Sequence, residues 1–63
     1  MNTEKLYNSD LDEWFYKITI IKSICNLLKC TEEEAENHIE YGIKHGLYYT
    51  VEGYNKHFAP YEN

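Results

Sequence analysis

Five side chains of this protein could bind a metal ion or act as a nucleophile: Cys25, Cys30, His38, His45 and His57. The histidines lack the His-x3–5-His spacing typical of zinc sites, and helical periodicity turns Cys25 inward. Cys30 and His38 are separated by about 10 Å of helix, too far for a nucleophile–base hydrogen bond. The three glycines are scattered and form no phosphate-binding loop. We therefore predict no catalytic residue, no metal, no cofactor and no enzymatic activity.

Length and charge limit the function further. The chain has 63 residues and a mass of 7.6 kDa, so we expect a single domain over residues 1–63. A chain this short buries only about 60% of its unfolded surface, which leaves little room for a substrate or cofactor pocket. Eleven acidic and six basic residues give a net charge of −5. Seven tyrosines argue against a disordered acidic tail, because such tails are poor in aromatic residues.

The sequence also bears on the cellular location. The longest apolar run, Ile18–Ile21, contains Thr19 and is far shorter than the roughly 20 apolar residues of a membrane span. Met1–Lys5 is not a basic head followed by an apolar stretch, so no secretory signal is predicted. Two cysteines five positions apart are a poor framework for a disulfide. We predict reduced thiols and a cytoplasmic location.

Helical periodicity and the N-cap residue type of Ser9 predict a first helix over residues 9–17. Its apolar positions follow the i, i+3, i+4, i+7 pattern and are Leu11, Trp14, Phe15 and Ile18. A second helix is predicted from Ile20 to Lys29, while residues 18–21 could open as a strand or as part of that helix. Residues 1–7 either extend the first helix or precede it.

The segment from Thr31 onward has the strongest local signal. Thr31 and Glu34 form a capping-box pattern, which predicts a third helix over 31–45 ended by Gly46. Residues 47–59 are rich in strand formers and are divided by Glu52-Gly53, which predicts a β-hairpin whose second strand ends at Pro60.

The stretch Ile24–Ala35 followed by Tyr41–Leu47 resembles the winged helix-turn-helix family. A small apolar helix, a two-residue turn, a Thr-capped helix and then Gly-Leu precede the predicted wing. The resemblance covers about residues 10–60 and implies an α+β fold of three helices and a C-terminal β-hairpin. A plain three-helix bundle is the alternative. The short length and the Asn-, Lys-, Tyr- and Ile-rich composition resemble small phage or mobile-element proteins.

In that family the third helix usually reads the DNA major groove and is flanked by cations. Here the helix carries five glutamates, and the chain has no arginine, so phosphate would be repelled. We therefore predict binding to a protein, with an inhibitor or modulator of a nucleic-acid-handling protein as one specific form. The predicted interaction residues combine carboxylates with surplus aromatic and imidazole groups: Glu33, Glu36, Glu40, His38, Tyr41, Tyr48 and Tyr54.

Two alternatives stay open beside this prediction. The glutamates could form an ordinary solvated helix face, and any one tyrosine could belong to a cross-strand pair. A DNA-binding transcriptional or recombination regulator could use Lys22, Lys29 and Lys56, particularly as an oligomer. A homodimer is compatible with either function.

Overall fold

A computed structural model describes residues 4–58 of the chain. It contains three strands and three helices, in the order β1 (Lys5–Asn8), β2 (Glu13–Tyr16), α1 (Lys17–Leu28), α2 (Glu32–Lys44), β3 (Tyr48–Tyr49) and α3 (Val51–Phe58). The strands form one antiparallel sheet in the order β2-β1-β3. The fold is therefore a mixed α+β fold in which two strands come first and the third lies between α2 and α3.

The predicted winged helix-turn-helix fold and its three-helix-bundle alternative are both wrong. Residues 9–17, predicted as a helix, instead form a turn, β2 and the first residue of α1, and a strand precedes them at residues 5–8. Residues 47–58, predicted as most of a hairpin, form the two-residue β3 and then α3. The predicted end of the second wing strand at Pro60 lies outside the described residues.

Side-chain hydrogen bonding accounts for the hairpin at the start of the chain. The Asn8 Oδ1 atom accepts hydrogen bonds from the backbone N–H of Asp10 (2.9 Å) and of Leu11 (3.0 Å). Asp12 then adopts φ 57°, a left-handed conformation that Asp tolerates better than most residues. These local bonds compete with a helix that begins at Ser9, so the residues after Ser9 form a tight turn instead.

A helix cap likewise replaces the predicted turn at Gly53. The Thr50 hydroxyl oxygen accepts a hydrogen bond from the Gly53 N–H at 3.0 Å, and the Thr50 carbonyl accepts one from the Tyr54 N–H at 2.8 Å. Thr50 is therefore the N-cap of α3. Gly53 therefore lies in the first turn of α3. The prediction that it divides two strands is wrong.

The two central helices are confirmed. Residues 18–21 belong to α1, which ends at Leu28 and is followed by Lys29 in the left-handed conformation, with φ 55°. The capping box of α2 is present in both directions: the Glu34 N–H donates to Thr31 Oγ1 (3.1 Å), and the Thr31 N–H donates to Glu34 Oε1 (3.0 Å). Gly46, with φ 85°, follows α2 as predicted.

The sheet lies between the α1–α2 pair and α3. On one side Leu6 packs with the aliphatic core, whose buried members are Leu6, Ile20, Ile21, Ala35 and Ile39. On the other side Tyr7 contacts an aromatic layer, made of Tyr7, Trp14, Tyr49, Tyr54 and Phe58. Because side chains alternate along a strand, β1 supplies both sides.

Candidate protein-interaction site

The apolar stripe of α1 is covered at its beginning and uncovered at its end. Ile20 and Ile21 are buried, Ile24 is half-buried, and Leu28 is 55% exposed. These residues follow one another at helical spacing, so the stripe continues past the core. The last turn of α1 therefore presents apolar surface that the described residues leave open.

This uncovered turn and α2 together form a surface groove. Its outer part has a volume of about 620 Å³ and its inner part about 250 Å³, and the two parts share Leu28, His38 and Tyr41. We call the whole the α1/α2 groove. Its other lining residues are Ile24, Lys29, Cys30, Glu34, Asn37, Gly42, Leu47 and Tyr48.

Tyr41 stands on the rim of the α1/α2 groove. Its side chain is 66% exposed, and its ring stacks on His45 with a centroid separation of 4.0 Å and an interplanar angle of 29°. Two residues four apart on a helix are neighbours, which explains the stack. The stack orients an exposed aromatic ring, which is the kind of side chain that contributes most at protein interfaces.

Tyr48 closes the inner end of the groove against α2. A Cβ atom added at Gly42 would lie 2.5 Å from Tyr48 Cδ2, so the ring can take this position only because residue 42 has no side chain. Burial raises the pKa of the Tyr48 phenol. Gly42 thus serves to admit the ring of a residue that lines the site.

The three predicted interface carboxylates form a separate surface on α2, which we call the acidic ridge: Glu33, Glu36 and Glu40. All three are exposed. At 100° per residue they lie on the other side of the buried stripe from His38 and Tyr41. Within residues 4–58, none of the three lies within salt-bridge distance of a lysine; the ion pair that does form joins Lys17 Nζ to Glu4 at 3.8 Å.

The structure brings together only part of the predicted interaction set. His38, Tyr41 and Tyr48 line the α1/α2 groove, whereas the acidic ridge occupies a different face of α2. Tyr54 lies across the sheet in the aromatic layer, 4.8 Å from Tyr7 between ring centroids. Leu28 was missed, although its place at the end of the α1 stripe, just before Lys29, is a signal that the sequence contains.

The three lysines of the DNA-binding alternative do not all lie on one surface. Lys22 is exposed on α1, Lys29 lines the outer part of the α1/α2 groove, and Lys56 lies on α3 across the sheet. A duplex contact would need several cations on one face, since each phosphate contact requires one.

The cysteines are free thiols and both are half-buried. Cys25 packs against the aliphatic core, and burial, followed by the neighbouring Cys30, raises the pKa of its thiol. A raised pKa keeps the thiol protonated and poorly nucleophilic. Cys30 lines the groove together with His38, and its Sγ atom lies 4.0 Å from the Ile24 carbonyl oxygen.

Residues 4–58 contain neither a cluster of metal ligands nor a membrane-spanning helix. No three His, Cys, Asp or Glu side chains there are grouped so that they could hold a metal ion. Over the same residues, no helix combines the length and apolar character that crossing a membrane requires. Comparison of the chain with protein-family models, curated proteins and solved structures found no match.

Proposed function

We propose that this chain is a small, acidic, non-enzymatic protein of the cytoplasm that binds another protein through the α1/α2 groove and the acidic ridge. One observation carries the proposal: the α1/α2 groove exposes Leu28 and Tyr41, and another face of α2 carries three exposed carboxylates that have no lysine within salt-bridge distance in residues 4–58. The partner surface that complements this arrangement has an apolar anchor flanked by Lys or Arg.

The groove would supply most of the affinity. Fully burying a Leu or an aromatic side chain contributes about 1.5–3 kcal/mol, and more than half of each of these two side chains is still in water. An apolar helix face laid into a groove is a common way of using such surface. Tyr41, held against His45, loses little further freedom on binding.

The acidic ridge would supply steering and selectivity. Exposed charges of one sign raise the association rate of an oppositely charged partner more than they raise affinity. A basic surface of this kind is what proteins that handle nucleic acids present to phosphate. An inhibitor or modulator of such a protein is therefore the specific form of the proposal.

The groove is tested by Leu28→Gln, which removes apolar character while retaining helix propensity. With a partner captured from the cells in which the protein occurs, we expect its dissociation constant to rise about tenfold or more, because a buried anchor is lost. The matched control is Leu11→Gln in the hairpin turn, where the leucine is similarly exposed at 62%. Equal effects of the two substitutions, or no effect of either, would contradict the proposed groove.

The ridge is tested by Glu40→Lys against Asp10→Lys, which changes the net charge equally at an exposed position of the hairpin turn. We expect Glu40→Lys to slow association severalfold at low salt and to reduce the dependence of association on salt. A gel shift with mixed DNA should show no retardation. Salt-sensitive DNA binding that disappears on Lys22→Glu, Lys29→Glu and Lys56→Glu would instead support the DNA-binding alternative.

A further inference from the structure

The outer edge of β2 presents unpaired backbone groups. Within residues 4–58 only β1 pairs with β2, with Lys5 opposite Tyr16 and Tyr7 opposite Trp14. The Lys17 N–H donates to the Glu4 carbonyl at 2.8 Å, which makes residues 4 and 17 a hydrogen-bonded pair. Because such pairs alternate along an antiparallel ladder, Phe15 and Glu13 bond to β1, and the backbone groups of Trp14 and Tyr16 point outward.

The hydrogen bonds between β1 and β3 independently support this alternation of inward- and outward-pointing backbone groups. The Ser9 N–H donates to the Leu47 carbonyl at 2.9 Å, and Tyr7 lies opposite Tyr49. The backbone groups of Tyr7 therefore point toward β3, so those of its neighbours on β1 point toward β2. Within residues 4–58 both ladders thus leave the Trp14 N–H and C=O and the Tyr16 N–H unpaired at the same edge, while the Tyr16 carbonyl, at the N-cap of α1, accepts the first hydrogen bond of that helix.

We propose that a second copy of this chain pairs with this edge, β2 against β2 in antiparallel orientation, with Phe15 opposite the partner's Phe15. In this register Trp14 lies opposite the partner's Tyr16, and the Tyr16 N–H of each copy donates to the Trp14 carbonyl of the other. A two-fold axis at Trp14 would pair Tyr16 with Asp12, which lies in the turn. An axis at Tyr16 would require a strand conformation within α1.

The segment 13–17 is complementary to itself in this register. Its order of acidic, aromatic, aromatic, aromatic and basic residues sets Glu13 opposite the partner's Lys17 at both ends of the pairing. Trp14 is 39% exposed and Tyr16 49%, so both have surface left for a cross-strand aromatic pair. Self-complementarity of this kind is what a two-fold symmetric interface requires.

The N-terminus of α1 provides a further argument. No side chain caps it, and its first turn contains no acidic residue. The proposed register brings Glu13 of the partner subunit to this end of the helix, where the helix dipole favours a negative charge. Each copy would thus complete the helix end that the other leaves uncapped.

The first experiment uses two single charge reversals, Glu13→Lys and Lys17→Glu, in sedimentation velocity over a range of concentrations. We expect the wild-type chain to approach twice its mass of 7.6 kDa as its concentration rises. Each variant alone sets like charges opposite each other, and we expect the dimer dissociation constant to rise roughly tenfold. An equimolar mixture restores opposite charges in both pairs, so we expect it to dimerise like the wild type.

The second experiment tests the backbone bonds. Tyr16 has φ −68°, which proline adopts without strain, so Tyr16→Pro removes one outward N–H and leaves the hydrogen bonds of β1 intact. Tyr16→Val also loses the tyrosine ring but keeps the N–H. We expect the proline variant to be monomeric and the valine variant to retain dimerisation, with both folded by circular dichroism.

Two results would overturn the proposal. One is a wild-type chain that stays at monomer mass up to about 1 mM, where even weak edge pairing becomes visible. The other is a dimer that withstands Tyr16→Pro and both charge reversals but dissociates on Leu28→Gln, which would place the two-fold axis at the α1/α2 groove.

Discussion

Leu6 and Tyr7 are adjacent on β1, yet they enter two different kinds of packing. Leu6 is 0% exposed and joins an aliphatic core between the sheet and the α1–α2 pair. Tyr7, at 8%, is the centre of the aromatic layer between the sheet and α3. The aliphatic side buries residues from β1, α1 and α2, whereas α3 buries none of its own residues.

The two sides of the sheet are therefore packed by different types of side chain. Aliphatic side chains fill the interior of one side completely, so that side should carry most of the hydrophobic stabilisation. Aromatic rings on the other side meet edge-to-face, as Tyr7 and Tyr54 do at 4.8 Å, while keeping part of their surface in water. We therefore expect the aliphatic side to control global unfolding and the aromatic side to control the attachment of α3.

The largest expected effect is that of Ile39→Ala. Ile39 is fully buried, and deleting a buried isoleucine side chain to alanine costs about 2–5 kcal/mol of unfolding free energy. Ile43→Ala, one turn further along α2 at a partly exposed position, should cost less than half as much. Chemical denaturation of the two variants measures both losses of unfolding free energy. Equal losses would mean that burial does not determine the cost of these two substitutions.

The aromatic counterpart is Phe58→Ala at the end of α3. Phe58 is about half exposed, so its loss should cost about 1.5–2.5 kcal/mol, roughly half that of a buried phenylalanine. Hydrogen exchange should quicken in α3 and remain unchanged in α2, because α3 can open without disturbing the core. Faster exchange throughout the chain would show that the two sides form a single cooperative unit.

An intermediate effect is expected for Gly42→Ala, where α2 meets β3. Alanine would gain about 1 kcal/mol of helix propensity, but its Cβ would meet the Tyr48 ring at 2.5 Å. Overpacking of this kind costs about 1–3 kcal/mol, so we expect a net loss of unfolding free energy.

The control is the same substitution in a Tyr48→Ala background. Without the ring, only the gain in helix propensity remains, and Gly42→Ala should then stabilise the chain by up to about 1 kcal/mol. A substitution that destabilises both backgrounds equally would contradict the close approach of the ring.

The parts of the fold that the sequence predicted correctly are those governed by local bonding and periodicity. The capping box of Thr31 and Glu34 closes within four residues, and the apolar stripe of α1 repeats at the helical period. The apolar stripe of α1 continues to Leu28, beyond the residues that the core buries. The groove could therefore have been inferred from the length of this stripe.

The errors arose where two local patterns compete. Leu11, Trp14 and Phe15 fit a helical period, but Trp14 and Phe15 equally fit a strand whose side chains face opposite sides. Residues 13–16 form a strand because they pair with Lys5–Asn8. The sequence analysis assigned no structure to that partner segment. At Gly53 the Thr50 cap decides for a helix, although tyrosines and Gly favour a hairpin.

The last expected effect is absent near neutral pH and concerns the Tyr7 hydroxyl, which donates a hydrogen bond to Asp12. This bond, followed by burial and by the Asp12 charge, raises the pKa of Tyr7 from 10.0 to about 12. Above pH 10 the unfolded chain releases this proton while the folded chain keeps it, so stability falls as the pH rises from 10 toward 12. The contribution is fully present below pH 10.

Tyr7→Phe separates this effect from the titration of the other tyrosines, because it keeps the ring in the aromatic layer and removes only the ionisable hydroxyl. The unfolding free energy of the variant should decline less steeply between pH 10 and about 12 than that of the wild type. Asp12→Asn, which keeps an oxygen acceptor but loses the charge, should give an intermediate slope. Identical slopes for all three proteins would mean that Tyr7 is not held by Asp12, and the aromatic side would then depend on ring packing alone.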